Sequence, residues 1–262
     1  MEKSNDLAII VYSCWKNRDM WNILQTLLKK YWNDCKYKIV LLTDKYEGSK
    51  EKYQFDDIVV LDSTWHDMIM AGIACAGTEY VMLWMDDYLV CDYVKNEDID
   101  RYLHIAKKYN AANIRFIESP TIVAKEYDKD NSFNYYEPGT AYSFSTQVGI
   151  WDSKFLRKNI KKEWSAWDFE RVGTIMVKDY THPLLASRDY TFPYEEGVRR
   201  GKWMDNGVRI CMRNNIEIDF SKRKQMSSFE MAWIYFKGAI LEINPTMFVK
   251  IQNLFRKKIR LK

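Results

Sequence analysis

The sequence predicts an α/β fold in which a mostly parallel sheet is flanked by helices. Continuous apolar runs of strand length begin near residues 7, 37 and 79, as expected for strands that are covered on both faces. Segments with apolar residues at helical spacing lie between these runs. The chain has 262 residues, of which 47% are hydrophobic and 29% charged, and this is sufficient for one large domain with a substantial core.

Strands and helices alternate through the first 120 residues. The helix that follows Thr64 begins at a capping-box pattern completed by Asp67, and Gly77 provides its C-terminal stop. In sheets built from such units, ligands bind beyond the carboxyl ends of the strands. We expect strands at 7–13, 37–44, 56–62, 79–85 and 113–117, and helices at 19–32, 65–76 and 97–110.

The second half of the chain is less regular. Residues 118–146 contain Pro120, Pro138 and Gly139 and are predicted to form a long loop of the kind that is usually functional or mobile. The last predicted helix is largely apolar, begins at a capping box and is expected to pack on the body of the protein. After the loop we expect a strand at 146–152 and helices at 153–160, 163–178 and 228–243.

Composition argues against several classes of protein. The net charge of +4 is too small to identify a polyanion as partner. The five cysteines are odd in number and form no CxxC, so neither a zinc site nor a disulfide framework is indicated, and a reducing cytoplasm is the simplest location. The absence of GxGxxG, GKS and GKT sequences argues against dehydrogenases and P-loop proteins.

An acidic pair follows the predicted strand at 79–85. Asp86 and Asp87 end this apolar run, and adjacent acids are costly to bury without partners. We therefore expect the pair to lie at the rim of the sheet and to face a cleft, together with the strand ends Tyr12–Ser13 and Asp44. Such a pair suits a hard divalent cation, Mn²⁺ or Mg²⁺, and a solvated turn is the alternative from spacing alone.

Three segments carry a resemblance to a known family. LDSTWHDMIMAGIACAG (61–77) and TEYVMLWMDDYLV (78–90) resemble the metal-binding region of GT-A fold glycosyltransferases, in particular small bacterial enzymes of capsule, O-antigen and exopolysaccharide synthesis. IIVYSCWKNR (9–18) is similar to the strand whose end receives the base and ribose. In that family a DXD-like cluster holds Mn²⁺ or Mg²⁺ against the diphosphate of a nucleotide sugar. The resemblance implies that Asp86 and Asp87 bind metal, with Asp87 as the better ligand.

The resemblance covers most of residues 7–220. It implies a GT-A-like, Rossmann-like catalytic domain at 1–226, with a nucleotide-sugar-binding half at 1–95 and an acceptor-binding half at 96–226. Residues 227–262 would form C-terminal helices with a basic amphipathic tail. The donor-binding residues implied in this way are Tyr12, Ser13, Arg18, Asp44, Asp67, Asp86, Arg199 and Lys202.

EWSAWDFER (163–171) contains the candidate catalytic acids. Inverting transfer needs a carboxylate that accepts the proton of the acceptor hydroxyl, and related enzymes carry one at a helix start beside a Trp. If Ser165 is the N-cap, Asp168 can close a capping box, whereas Glu170 lies about 200° further round the helix. We favour Glu170 as the base over Asp168, with two acids that only stabilise the helix start as the alternative. The candidate acceptor-binding residues are Trp164, Trp167 and Trp203.

EEGVRRGKWMDNG (195–207) is similar to the mobile loop that closes over the nucleotide in such transferases. Its cations Arg199, Arg200 and Lys202 would neutralise charge on the leaving diphosphate. From the residues alone, a solvated basic hairpin turn is the alternative.

The C-terminal segment differs in kind from the rest. Residues 246–262 contain six basic residues and no acid, and their apolar residues fall on one helical face. This pattern is typical of a helix that lies on an anionic membrane, where each cation contributes about 1 kcal/mol. A helix that packs on a partner subunit and a nucleic-acid-binding tail are the alternatives.

These features predict a metal-assisted, inverting hexosyltransferase. It would move a sugar from a nucleotide-diphospho-sugar, with UDP as the expected nucleotide, to a polyprenyl-diphosphate-linked glycan at the inner face of the cell membrane, without a nucleic-acid partner. A metal-dependent nucleotidyltransferase acting on a sugar phosphate is one alternative, although YSCWKNRDMW supplies no glycine for a triphosphate loop. A non-enzymatic membrane- or nucleic-acid-binding module is the other, although the basic residues are concentrated in the tail and one loop.

Overall fold

The computed structural model describes residues 3–48, 53, 55–245 and 247–248. Most of the predicted basic tail lies outside these residues. The strands are β1 (Leu7–Tyr12), β2 (Lys38–Thr43), β3 (Asp57–Val60), β4 (Tyr80–Met85), β5 (Tyr88–Val90), β6 (Asn113–Arg115), β7 (Ala124–Glu126), β8 (Phe133–Tyr136), β9 (Gly149–Asp152), β10 (Leu184–Ser187), β11 (Tyr194–Glu196), β12 (Val198–Arg199) and β13 (Lys202–Trp203).

The helices surround the sheet and extend to the end of the described chain. Within the described ranges, no helix is both long and apolar enough to cross a bilayer. The helices are α1 (Arg18–Tyr31), α2 (Trp65–Ala76), α3 (Asn96–Tyr109), α4 (Ser153–Asn159), α5 (Ala166–Asp168), α6 (Thr174–Met176), α7 (Asp205–Arg213) and α8 (Ser228–Ile243).

Nine strands form one sheet in the order β3-β2-β1-β4-β9-β6-β10-β8-β7. β9 and β8 run opposite to the other seven strands of this sheet, which share one direction. The predicted fold class, α/β with a mostly parallel sheet flanked by helices, is confirmed. Because β9 pairs with both β4 and β6, strands from the predicted halves 1–95 and 96–226 share one sheet. The domain division itself stays a prediction.

β1 is buried along nearly its whole length because alternate side chains pack under different helices. Leu7, Ile9 and Val11 belong to the core that includes the inner face of α1. Ala8 and Ile10 point the other way and belong to the core that includes α2. Each fully buried aliphatic side chain contributes roughly 1.5–3 kcal/mol. The continuous apolar run therefore forms the doubly covered parallel strand that the sequence predicts.

The strand register brings the carboxyl ends of β1, β2 and β4 to one edge. Tyr12 lies opposite Leu42 of β2 and Met85 of β4. Hydrogen bonding continues one residue further, since the amide of Ser13 donates to the Leu42 carbonyl at 3.0 Å and the amide of Asp86 donates to the Tyr12 carbonyl at 3.2 Å. The residues that follow these strands consequently lie next to one another.

The segment 118–146 is not only a loop, because it contributes β7 and β8 to the far edge of the sheet. These short strands lack the apolar run that identifies the central strands. Arg115, at the end of β6, is fully buried and anchors the segment. Its guanidinium donates to the carbonyls of Ser119 at 2.9 Å, Tyr142 at 3.0 Å and Ser143 at 2.5 Å.

The helix predicted at 163–178 is interrupted. A π-helical turn, Phe169–Gly173, separates α5 from α6. A Cβ atom added to Gly173 would lie 3.1 Å from the Trp164 ring and 3.2 Å from the Phe144 ring, so close packing against these rings holds the irregular turn in place. Such turns are frequent at functional sites.

α8 has its predicted capping box and bounds, and it packs on the body along one side only, where Met231 and Ile234 meet Met204 and Met226. Only Met231 is buried in this helix. Polar contacts hold it near its two ends: Lys202 Nζ binds Glu230 at 2.5 Å, and the amide and hydroxyl of Thr121 donate to Glu242 at 2.8 and 2.9 Å. The helix therefore lies across the sheet edge and exposes most of its circumference to solvent.

Two glycines allow α7 to pack directly on the backbone beside the acidic pair. The amide of Gly197 donates to the Asp87 carbonyl at 2.8 Å, and its carbonyl accepts from the amide of Met204 at 2.9 Å. A Cβ atom added to Gly207 would lie 2.4 Å from the Gly197 carbonyl oxygen, which is a contact with backbone. Any side chain at position 207 would therefore displace α7 from Gly197, whose amide holds the Asp87 carbonyl.

We predict that Gly207→Ala destabilises the protein by about 1–3 kcal/mol, because overpacking against backbone cannot be relieved by a rotamer change. Thermal unfolding would measure the loss. Gly238→Ala is the matched control, since its Cβ would meet open space and alanine in a helix should be neutral or stabilising by up to about 1 kcal/mol. Equal melting temperatures for the two variants would contradict the packing argument.

Candidate active site

A cavity of about 710 Å³ lies at the carboxyl edge of β1 and β4. This is where α/β sheets bind ligands, and the volume is in the usual range for a small-molecule site. Its lining comes from seven parts of the chain: the strand ends, the start of α2, the segment before β7, the segment before β9, the α5 region, the β11–β12 region and α8. The polar and aromatic lining residues include Tyr12, Trp65, Asp87, Ser119, Thr146, Gln147, Trp167, Glu170, Glu196, Arg199, Arg200, Trp233 and Lys237.

Asp86 faces the interior, so the expectation that both acids stand exposed at the rim is wrong for this residue. Its side chain is only 5% exposed. Ser13 Oγ donates to Asp86 Oδ2 and accepts from Trp21 Nε1 at 2.6 Å. Burial raises the pKa of Asp86 to about 6, against the opposing effect of the Ser13 hydrogen bond. Adjacent residues point in different directions after β4, which is why only one acid of the pair reaches the cavity.

Asp87 is the acid of the pair that lines the cavity. Burial, with the nearby charges of Asp86 and Glu196, raises the pKa of Asp87 to about 8, and Arg199 opposes this shift. In the part of the chain that the structure describes, no group of three or more His, Cys, Asp or Glu side chains could hold a metal. The residues therefore fit Mn²⁺ or Mg²⁺ only if a diphosphate supplies some of the ligands. Such ions are commonly bound by one or two carboxylates, water and the phosphates of a substrate.

The segment 195–207 forms a basic hairpin whose cations have different surroundings. Arg199 binds Glu196 through two hydrogen bonds, one of them 2.5 Å from Nε to Oε1, and both side chains line the cavity. Arg200 and Gly201 form the turn with φ values of 54° and 74°, as in a type I′ hairpin. Lys202, predicted to bind the donor, instead binds Glu230 at the start of α8.

Glu170 lies in the cavity wall at the π-helical turn. Its Oε1 accepts from the amide and the hydroxyl of Thr146, both at 2.7 Å. Burial raises the pKa of Glu170 above its ordinary value, although these hydrogen bonds and the charge of Arg115 act in the opposite direction. Asp168 forms the predicted capping box with Ser165. Of the two candidate bases, Glu170 is the one that the structure brings to the cavity.

The three candidate tryptophans are in different environments. Trp167 is exposed and lines the cavity. Trp164 and Trp203 are buried, and Trp164 packs against Gly173. Their burial argues against the predicted acceptor contacts and gives both rings a role in supporting the walls.

Of the remaining predicted donor residues, Tyr12 lines the cavity, whereas Asp44, Arg18 and Asp67 do not. Asp44 Oδ1 accepts from the amide of Trp15 at 2.5 Å, and the Arg18 guanidinium lies 4.7 Å from the Trp15 ring centroid. Tyr12 lines the β1 end of the cavity. Burial and the charges of Cys14, Asp86 and Asp44 raise the pKa of its phenol. Asp67 accepts from Ser63 at 2.7 Å at the start of α2, outside the cavity lining.

Sequence reasoning missed several lining residues. Thr146 and Trp65 stand in ordinary loop and helix-start contexts that give no signal in one sequence. Glu196 was visible as an acid directly before Gly197 and the basic turn. The cavity-lining face of α8 had a signal in the sequence. This helix is apolar over most of its circumference, which is unusual for a surface helix.

The sequence matches no protein-family model and no curated protein. Among solved structures, TarS 1–349 of S. aureus aligns with a TM-score of 0.42 and 12% identity, over 70% of this chain and 60% of that one. The same TarS region in complex with UDP-GlcNAc aligns at 0.39 and 15%, over 59% and 47%. A cytidylyltransferase from Leptospira borgpetersenii aligns at 0.40 and 9%, over 64% and 69%. This chain thus spans about 60% of the TarS 1–349 structure.

We predict that Ser13→Ala destabilises the protein by about 1–3 kcal/mol, because it leaves the Trp21 indole N–H without its buried acceptor and removes one of the side-chain hydrogen bonds to the Asp86 carboxylate. Chemical denaturation would measure the change. Thr26→Ala on α1 is the control, since the Thr26 hydroxyl is exposed and donates to the Asn22 carbonyl at 2.8 Å. A loss for Ser13→Ala no larger than that of the control would show that the buried network contributes little.

Proposed function

We propose that this protein is a glycosyltransferase that moves a sugar from a nucleotide-diphospho-sugar to a hydroxyl of a lipid-linked glycan. One observation carries the proposal: a single cavity at the sheet edge is lined by Asp87, Glu170 and Arg199. Asp87 is a carboxylate suited to a metal ion bound with a diphosphate, Glu170 is a buried candidate base, and Arg199 is a cation suited to a leaving diphosphate. The donor nucleotide would be UDP, and the acceptor a polyprenyl-diphosphate-linked oligosaccharide of a surface polysaccharide.

The side chains would divide the reaction between them. Glu170 would accept the proton of the acceptor hydroxyl as its oxygen bonds to the anomeric carbon, while the bond from that carbon to the diphosphate oxygen breaks. Attack from the side opposite the leaving group inverts the anomeric centre. Arg199, oriented by Glu196, would stabilise the negative charge that collects on the departing nucleoside diphosphate.

A divalent cation would be held by Asp87 together with the donor diphosphate and would supply charge neutralisation to that group. Asp86 would not contact the donor but would position the end of β4 through its hydrogen bond with Ser13. Tyr12 and the neighbouring Trp15–Arg18 region would flank the nucleoside, because they lie at the β1 end of the same edge.

Exposed Trp167, at the cavity wall beside Glu170, supports an acceptor-binding role on that side. An aromatic ring beside the base can stack on an apolar face of a sugar and orient its hydroxyl. The proposed location is the cytoplasmic face of the membrane, where the basic segment 246–262 would add electrostatic attraction to anionic lipid.

We predict that UDP raises the melting temperature of the wild type by a few degrees when Mn²⁺ is present, since a ligand at a hundred times its Kd stabilises by about 2.7 kcal/mol. UDP, GDP, CMP and ATP would each be tested with and without Mn²⁺. Asp87→Asn should abolish the metal-dependent shift. The control variant Glu195→Gln should retain the shift, because Glu195 is exposed and does not line the cavity.

Two outcomes of this panel would reject the proposal. A shift by ATP with Mn²⁺ but by no nucleoside diphosphate would favour a nucleotidyltransferase. No shift by any nucleotide under either condition would remove the nucleotide-sugar donor from consideration.

We predict that Glu170→Gln lowers kcat by about 10²–10⁴-fold, the range for loss of a general base. The base must be ionised, and burial raises its pKa, so wild-type kcat should fall as the pH drops through that raised pKa. The variant should lose this limb of the profile. Transfer assays across pH with a UDP-sugar and a lipid-linked acceptor would measure both effects.

Asp168→Asn is the matched control for the base. It should weaken the capping box and reduce stability by about 1 kcal/mol, with a small change in kcat. If Asp168→Asn instead produced the large kcat loss and Glu170→Gln did not, the assignment of the base would be reversed.

A further inference from the structure

α8 carries two adjacent stripes of side chains with different surroundings. One stripe lines the cavity and consists of Ile234, Lys237, Gly238 and Leu241. The other, here called the outer stripe, repeats at i, i+4, i+7, i+11 and i+14, the spacing of one helical face. The outer stripe consists of Phe229, Trp233, Phe236, Ile240 and Ile243.

The outer stripe is an apolar surface in which Ile240 is half-buried and the other four side chains are exposed. Phe229 is 81% exposed, Phe236 55% and Ile243 73%. The Trp233 and Phe236 rings stack with centroids 5.5 Å apart. The residues that the structure describes leave this surface uncovered, and exposed apolar patches of this kind mark interaction sites. Because Trp233 also lines the cavity, the surface begins at the cavity mouth.

Cations accompany this surface. Lys237 Nζ lies 4.9 Å from the Trp233 ring centroid, and both Arg200 and Lys237 line the cavity. Among the described residues, neither cation has an ion-pair partner. The chain that continues from α8, residues 246–262, has six basic residues and no acid. Aromatic rings flanked by cations match the chemistry of an anionic lipid interface.

We propose that the outer stripe of α8 is a membrane-docking surface, which enters the headgroup region of an anionic bilayer and turns the cavity mouth toward the lipid. Phe229, Phe236 and Ile243 supply the apolar contact, and Lys237 and the basic segment supply the attraction to anionic headgroups. This inference deepens the proposed function and rests on it, because an acceptor attached to polyprenyl diphosphate reaches the cavity from the membrane side.

Vesicle co-sedimentation of the full chain tests the surface directly. The vesicles are phosphatidylcholine alone, or equal parts phosphatidylcholine and phosphatidylglycerol. The wild type should partition onto the anionic vesicles and much less onto the neutral ones. The triple variant Phe229→Gln, Phe236→Gln, Ile243→Gln keeps helix-forming residues and should lower this partition by at least about tenfold. None of the three residues lines the cavity.

A second triple variant is the matched control. Tyr93→Gln, Met212→Gln and Phe220→Gln remove three other exposed apolar side chains that lie outside α8, so vesicle binding should stay at the wild-type level. A third variant, Arg256→Gln, Lys257→Gln, Lys258→Gln, separates the basic segment from α8. If this third variant alone loses vesicle binding and the α8 variant binds as wild type does, the docking surface is not α8.

Two further results would overturn the proposal. One is a wild type that stays in the supernatant with both kinds of vesicle. The other is a wild-type dimer, seen by light scattering, that the α8 variant converts to a monomer without a change in vesicle binding, since the outer stripe would then join two copies of the chain.

The nucleotide thermal-shift panel keeps this test separate from the proposed function. The α8 variant should retain the shift by UDP with Mn²⁺, which also shows that it folds. Vesicle binding with the expected variant pattern, but no shift by any nucleotide, would uphold the surface and reject the transferase. A nucleotide shift without vesicle binding would reject the membrane-docking surface and leave the proposed transferase standing.

Discussion

The buried carboxylate of Asp86 is the constraint around which the candidate site is arranged. An acid at the end of an apolar strand is costly unless hydrogen bonds and charges compensate it. Ser13 and Asn17 supply hydrogen bonds, and the charge of Arg223 favours the ionised form. Arg223 in turn binds Asp19 at 3.2 Å and Asn17 at 3.1 Å. One acid thereby links β1, β4, the start of α1 and the chain that leads into α8.

This anchoring determines what the neighbouring acid can do. With Asp86 fixed inside, Asp87 lines the cavity, and its carbonyl is held by the amide of Gly197. The contact between Gly197 and Gly207 brings α7 against the same backbone. The Glu196–Arg199 pair follows directly in the chain. The acid, the opposing cation and the hairpin are consequently one packed unit rather than separate surface groups, which favours a fixed charge arrangement over a freely mobile loop.

α8 gives the cavity a wall and the protein an unusual surface. Its ends are tied by Lys202–Glu230 and Thr121–Glu242 contacts, while its middle carries cavity-lining residues on one side and exposed aromatic rings on another. A helix that is apolar over most of its circumference is normally buried or in contact with lipid. Here the same helix borders both the cavity and solvent, so the opening of the cavity and the apolar surface lie on one side of the molecule.

The sequence by itself determined the elements whose signals are local. Apolar runs predicted the central strands, the Thr64 and Ser165 patterns predicted helix starts, and strand ends predicted the edge at which Tyr12 and Asp87 lie. Tertiary structure decided the rest because it depends on contacts between distant residues. Asp86 turns inward because Ser13 and Trp21 meet it there, and β7 and β8 form without an apolar run because they pair at a sheet edge. Trp203 is buried and α8 is exposed for the same reason: burial is set by which surfaces meet, and a residue's own type does not fix its neighbours.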